Sequence, residues 1–289
     1  REPGVREDCR ADLDLFSRFV DKTLETAVRQ QVFAKRNSKD PLLAEDVKNV
    51  STVKARGKKI RSLKGLEACK ALASLELPDN EIEDLSPLAD LERLQLLDLS
   101  GNRIRNIGPV ETLKALQYLN LENNQVEDLA PVAGLGNMRS LYLTGNRIRD
   151  AKPVGKLTKL WSLYLGQNQI EDLVSIKNLT GIANLGLERN KVRDLTPLAG
   201  MNQLGMVFLQ GNRIEDLGSE SKCPVCLRPL KDHGPNVVVE IKKEMEQIQK
   251  QINPDELKNL EKELEDLISK KETLSESIKQ LEVRNSDKL

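Results

Sequence analysis

Four cysteines and one histidine are the side chains of this chain best suited to metal or thiol chemistry. Cys223 and Cys226 form a C-x-x-C pair that contains Pro224, and Pro229-Leu230 follows shortly afterwards. A turn of this kind can direct backbone N–H groups at two thiolates, and thiolates are strong ligands for zinc. We therefore predict a zinc site at Cys223 and Cys226.

One such turn supplies two ligands, whereas structural zinc takes four. The missing pair is either His233 with an unknown fourth ligand, or the same two cysteines of a second copy of the chain. The shared site is the more economical arrangement and predicts a homodimer. Thiol–disulfide redox chemistry, which usually needs a βαβ context, and a pair of unreactive reduced thiols stay open as alternatives.

A row of seven asparagines sets the framework in which these residues must lie. Each asparagine closes the phrase L-x-x-L-x-L-x-x-N-x-I, and each follows the previous one by 22 positions. They are Asn80, Asn102, Asn124, Asn146, Asn168, Asn190 and Asn212. In-phase copies of this pattern are typical of leucine-rich repeats, in which every coil contributes one short, half-buried strand.

The repeat resembles the 22-residue class of the bacterial internalins and related phosphatase-regulating repeats, as in Leu113-x-x-Leu116-x-x-Leu119 followed by Asn124. The resemblance implies an α/β fold, namely a right-handed leucine-rich-repeat solenoid with an N-terminal helical cap. It also implies a protein-binding role without naming the partner. The C-terminal segment adds predicted coiled-coil helices to this fold class.

We predict four segments: a helical cap (1–49), a solenoid of eight coils with a degenerate first coil (50–218), the C-x-x-C knuckle (219–235) and coiled-coil helices (236–289). In the cap, Asp40-Pro41 has the composition of a helix start, with Asp as the cap and Pro in the first turn. Three phenylalanines are expected to cover the open end of the solenoid. They are Phe16, Phe19 and Phe33.

The first coil departs from the repeat pattern but keeps its apolar spacing. Lys58 occupies the asparagine position, and Cys69 occupies the position that Leu91 holds in the next coil. We therefore predict Cys69 to be a buried core residue rather than a nucleophile. Cys9, in a polar segment without a nearby histidine, has no predicted role.

After Leu217 the repeat stops, and apolar residues at steps of three and four follow on both sides of Pro254. Together with the knuckle, this segment resembles the zinc hook and coiled coil of the SMC-like DNA double-strand-break repair ATPases. That resemblance implies that Cys223 and Cys226 bind a zinc shared by two chains. No G-x-x-x-x-G-K-[ST] loop is present, so ATPase activity is not implied, and the junction indicates a natural or engineered fusion of two modules.

Composition gives no indication of a nucleic-acid or membrane partner. Lys+Arg and Asp+Glu are both 45, so no net charge attracts nucleic acid, and no apolar run reaches the roughly 18 residues of a membrane span. The compartment stays unknown, because the repeats resemble exported bacterial proteins whereas a thiol zinc site is typical of the cytosol. A column of alternating charge, which includes Glu83, Arg105 and Glu127, is predicted to form ion pairs between neighbouring coils.

Aromatic residues make up only 3% of the chain, and most of them fall on the outward positions of the predicted strands. The predicted partner-binding set is Leu96, Tyr118, Tyr142, Trp161, Tyr164, Met206 and Phe208. The core does not need these residues, and Tyr and Trp are frequent anchors of protein interfaces. The face has no histidine and its acidic positions look scattered, so we predict a non-enzymatic protein-interaction scaffold. A structural spacer and a redox protein are the alternatives.

Overall fold

The computed structural model describes residues 19–214, and its main element is one sheet of eight parallel strands in chain order. The strands are Thr52–Lys54 (β1), Ser74–Glu76 (β2), Leu96–Asp98 (β3), Tyr118–Asn120 (β4), Ser140–Tyr142 (β5), Ser162–Tyr164 (β6), Asn184–Gly186 (β7) and Met206–Phe208 (β8). Neighbouring strands pair 22 residues apart throughout, as in Leu119 with Leu141. This confirms the predicted leucine-rich-repeat solenoid.

In each of the first seven coils, a short 3-10 helix lies on the side opposite the sheet. These helices span Leu66–Ala68, Ser86–Leu88, Gly108–Thr112, Ala130–Gly134, Lys152–Lys156, Val174–Ile176 and Thr196–Leu198. Five of them carry proline in the first turn, where its missing N–H removes no hydrogen bond. In the sixth coil Ser175 takes the place of that proline.

One continuous core fills the space between the strands and the 3-10 helices. Leucine, isoleucine and valine of every coil are buried, including Val53, Ile60 and Leu63 of the degenerate first coil. Cys69 is also completely buried, as predicted, and burial raises the pKa of its thiol to about 12. Because a coil contributes few apolar residues, stacking is what produces a core of useful size.

The asparagine ladder joins consecutive coils through hydrogen bonds. Asn146 is typical: its Oδ1 accepts from the N–H of Val126, and its Nδ2 donates to the carbonyls of Leu121 and Leu143. The six asparagines from Asn80 to Asn190 are each less than a tenth exposed. The residue before each asparagine has a positive φ, which turns the chain out of the strand.

From residue 19 onwards, the described part of the cap contains two helices, α1 (Lys22–Arg29) and α2 (Ala44–Val47), and a 3-10 turn at Phe33–Lys35. Asp21 caps α1 by accepting from the N–H groups of Thr23 and Leu24. The predicted helix start at Asp40-Pro41 is wrong by three residues, because Leu43 precedes α2 and its N–H donates to Asp46.

The predicted phenylalanine cover is only partly correct. Phe19 packs against the core, whereas Phe33 is 89% exposed, beside the guanidinium of Arg36. Phe16 lies outside the described residues. Leu24 and Val28 of α1 are fully buried and close the end of the solenoid instead.

Among the described residues, neither Arg105 nor Glu127 forms the predicted ion pair with a neighbour in the charge column. Glu127 pairs with Arg147 at 3.7 Å, 20 residues further along, and Arg105 donates to Gln125 at 2.9 Å. The charged side chains of the column therefore reach diagonally to the next coil, because they are long and lean towards the neighbouring column. These pairs are exposed, so each stabilises the fold by about 0.5 kcal/mol or less.

Candidate functional site

The outward face of the sheet, which lines the concave side of a leucine-rich-repeat solenoid, has three columns of side chains. The first column precedes the first buried strand leucine and contains Ser74, Leu96, Tyr118, Ser140, Ser162, Asn184 and Met206. The middle column lies between the two buried leucines and contains Glu76, Asp98, Asn120, Tyr142, Tyr164, Gly186 and Phe208. The third column follows the second leucine and contains Pro78, Ser100, Glu122, Thr144, Gly166, Glu188 and Gln210.

Four aromatic rings form a continuous row, here called the aromatic row: Tyr118, Tyr142, Tyr164 and Phe208. The rings of Tyr142 and Tyr164 stack with centroids 5.1 Å apart and an interplanar angle of 8°. Tyr118 leans from the first column to bring its ring centroid within 5.3 Å of that of Tyr142. The row spans coils from β4 to β8, and each of its rings is half-buried.

Gly186 explains how the row crosses β7, which has no aromatic residue. A Cβ atom at this position would lie 2.7 Å from Cδ1 of Tyr164, so a larger residue would displace the ring. With glycine there, the ring centroids of Tyr164 and Phe208 come within 6.4 Å across the intervening strand. The missing side chain at Gly186 therefore allows the aromatic row to continue past β7.

The other predicted binding residues lie beside the row rather than in it. Leu96 and Met206 belong to the first column, and Met206 is 48% exposed. Trp161 precedes β6, is 57% exposed, and makes no ring contact with the four aromatic residues described above. The structure thus brings four of the seven predicted residues into direct ring contact.

Sequence reasoning missed an acidic group beside the aromatic row. Glu122 and Glu188 of the third column and Asp98 of the middle column face the tyrosines. Burial raises the pKa of Glu122, and the charges of Asp98 and Glu188 raise it further, while a hydrogen bond with Thr144 opposes this. Burial likewise raises the pKa of Tyr118 and Tyr164, with the neighbouring acidic groups adding to the shift.

The predicted zinc ligands Cys223 and Cys226 lie outside the described residues, as do His233 and the predicted coiled coil. Within residues 19–214, no group of three or more His, Cys, Asp and Glu side chains is arranged to hold a metal ion. The same part of the chain contains no helix that is both long enough and apolar enough to cross a membrane.

Residues 92–134 match the family model for leucine-rich repeats in two copies. The structure resembles internalin C2 of Listeria monocytogenes with a TM-score of 0.67 and 32% identity, over 73% of this chain and 91% of that one. The chain belongs to the internalin-like leucine-rich-repeat family.

A second internalin of Listeria monocytogenes, InlF, is similar to this internalin-like chain with a TM-score of 0.55 and 27% identity. That similarity covers 70% of this chain and 72% of InlF. The fold also occurs in the ectodomain of the Arabidopsis thaliana receptor kinase GASSHO1/SCHENGEN3, solved in complex with CASPARIAN STRIP INTEGRITY FACTOR 2. There the TM-score is 0.53 and the identity 22%, over 59% of this chain and 22% of that one. A search of curated proteins found no match.

Proposed function

We propose that this chain is a protein-interaction scaffold and that its partner binds the concave face over the aromatic row. The observation that supports this best is the continuous contact of Tyr118, Tyr142, Tyr164 and Phe208 on a surface that the core does not use. The apolar core is already filled by buried residues such as Leu141 of the same strands.

The family and the fold support binding rather than catalysis. The receptor ectodomain that shares the fold was solved with a bound partner, so the fold is compatible with such a complex. Half-buried tyrosines whose rings stack on each other lose little side-chain freedom on binding. Rigid aromatic surfaces therefore give much contact area for a small entropic cost.

A displayed library of random linear peptides, selected on the immobilised chain, would test the concave face. We expect the selected peptides to lose affinity by about tenfold or more with Tyr142→Ala or Tyr164→Ala, as for central aromatic anchors. Phe33→Ala is the matched control, because Phe33 is an exposed aromatic residue on the cap. Selected peptides that bind the two tyrosine variants and the original chain equally would contradict the proposal.

Zinc-mediated self-association through Cys223 and Cys226 is a second proposal, and it rests on the sequence of the knuckle and the heptads that follow it. Metal analysis and the mass in solution, each with and without a chelator, would test it. One zinc per two chains, lost together with the dimer, is the expected result. A metal-free chain that reduces a disulfide substrate would favour the redox alternative instead.

A further inference from the structure

The carboxylate of Glu188 occupies a space that two glycines leave open on the concave face. A Cβ atom at position 166 would lie 1.9 Å from its Oε1, and one at position 186 would lie 3.2 Å from its Oε2. Side chains at either position would push the carboxylate away. The carboxylate can therefore occupy this point of the sheet only because Gly166 and Gly186 have no side chains.

Oε2 of Glu188 is buried and has no hydrogen-bond partner, and it is the only such side-chain atom among the residues described. A buried charged oxygen without a partner is unfavourable by about 1–3 kcal/mol or more. Other buried polar groups of the described residues are bonded; the ladder asparagine Asn146, for example, uses both its Oδ1 and its Nδ2. The orphan oxygen therefore indicates that a donor from outside the described chain completes the site.

The surroundings of Glu188 are suited to a cationic donor. The ring of Tyr164 borders the same space, since the Cβ atom that Gly186 lacks would also lie 2.7 Å from Cδ1 of that ring. The charge of Glu122 acts on the same ring, and the charge of Glu188 acts on Glu122. A carboxylate pair beside an aromatic face can bind a positive charge through hydrogen bonds and cation–π attraction together.

The chain does not supply that charge from its described residues. Within 19–214, no lysine or arginine forms an ion pair with Asp98, Glu122 or Glu188, whereas Glu76 at the other end of the sheet pairs with Lys54 at 2.9 Å. The same part of the chain has no arrangement of three or more ligands for a metal ion. The negative charges of these acidic side chains also repel the phosphates of nucleic acids and anionic lipids.

We propose that the partner's segment inserts a lysine or arginine side chain between Glu188 and Glu122, against the ring of Tyr164. This inference rests on the proposed function, because it names the chemistry of the partner that binds the concave face. The cation supplies the donor that Oε2 of Glu188 lacks and neutralises two carboxylates that repel each other. The aromatic row then contacts the apolar residues that flank this lysine or arginine in the partner's segment.

Two displayed libraries of random linear peptides provide the test, the second identical to the first except that it encodes no lysine or arginine. Both are selected on the full chain, and the affinities of the enriched peptides are measured at low and high salt. We expect peptides that depend on Tyr164 from the first library, each with a lysine or arginine whose replacement by glutamine weakens binding about tenfold. Their affinity should also fall with added salt.

Variants of the chain locate the contact. Glu188→Gln keeps the shape and removes the charge, and Gly166→Ala keeps the charge and displaces the carboxylate; both should weaken these peptides by about tenfold. The controls are Glu83→Gln, which changes an exposed acid outside the sheet, and Gly136→Ala, where a Cβ atom meets nothing within 4 Å. Thermal unfolding of every variant checks that the fold is intact.

The outcomes separate this inference from the proposed function. One contrary result is a set of peptides from the library without lysine and arginine that bind as tightly, depend on Tyr142 and Tyr164, and keep their affinity with Glu188→Gln. That result would contradict the proposed cation contact and leave the concave-face function in place. A second copy of this chain that occupies the face, detected as a dimer lost with Tyr164→Ala, would also overturn it. If no peptide from either library depends on the tyrosines, both proposals fail.

Discussion

The asparagine ladder and the concave face lie a few residues apart in every coil, yet they obey opposite rules. The ladder repeats one residue in seven consecutive coils, and hydrogen bonds within the chain use both its donors and its acceptors. The middle column of the concave face changes from Glu76 to Tyr164 to Gly186 along the stack. Beside it lies a buried carboxylate oxygen that has no partner among residues 19–214.

This difference separates the residues that determine the fold from those available for binding. A repeated residue is needed wherever every coil presents the same backbone groups, because each unsatisfied group would destabilise every coil equally. A position that varies between coils is free from that requirement. Departures from the repeat, such as the glycines beside Glu188, are therefore where recognition can be encoded. Four measurements test this contrast, beginning with the largest expected effect.

Cys69, which occupies a repeated core position, should be almost inert to alkylation in the folded chain. Burial raises the pKa of its thiol to about 12, so at pH 8 the reactive thiolate is about a thousandfold rarer than in a free cysteine. Mass spectrometry resolved by site should show iodoacetamide labelling of Cys69 only as denaturant unfolds the solenoid. Rapid labelling in the native state would show that this coil opens.

Asn146→Ala should lower the free energy of unfolding by about 3 kcal/mol. The N–H of Val126 then has no acceptor, although Asn124 and Asn168 still bond to the carbonyls that Asn146 shared. Urea denaturation followed by circular dichroism measures the change.

The control is Asn137→Ala, an exposed asparagine whose Nδ2 donates to the carbonyl of Lys114. It should change stability by about 0.5 kcal/mol or less. Equal effects of the two substitutions would contradict the special role of the ladder.

Within the aromatic row, Tyr142→Ala and Tyr164→Ala should each destabilise the fold only modestly. The stacked rings should show a coupling energy of about 0.5–1.5 kcal/mol in a double-mutant cycle based on urea denaturation. A loss comparable to that of Asn146→Ala would mean that the row is part of the structural core rather than a free surface.

Glu122→Gln should give the smallest effect and the opposite sign. Burial raises the pKa of Glu122 in the folded chain, so the charged carboxylate opposes folding at neutral pH, and stability recovers as pH falls and the group is protonated. The variant should therefore be more stable at pH 7 by about 0.5 kcal/mol or less. The gain should disappear below the ordinary glutamate pKa of 4.5. A gain that persists at pH 3 would have another cause.

The 22-residue spacing of the sequence was enough to predict every feature that depends only on a residue's position within the repeat. The 22-residue repeat located the strands, the buried first coil around Val53 and the core position of Cys69, because each depends only on which column a residue occupies. It also placed Tyr142 and Tyr164 on one face, where the structure stacks their rings.

The errors within the repeats have one physical origin, namely that side-chain direction is not contained in the period. Glu127 reaches diagonally to Arg147 instead of to a member of its own column. The acidic positions looked scattered because Glu122 and Glu188 belong to coils that are not adjacent. Glu188 can extend over the neighbouring coil only because Gly166 has no side chain there.

The ladder also affects how such a protein can change its size. Each asparagine bonds only to its own coil and the coil before it, as Asn146 does with Leu143 and Leu121. Recombination that duplicates or deletes 22 codons in frame would therefore leave every remaining asparagine of the ladder with its hydrogen bonds. The same event would insert or remove one complete set of concave positions. A lineage can thus lengthen, shorten or shuffle its recognition surface without having to rebuild its core.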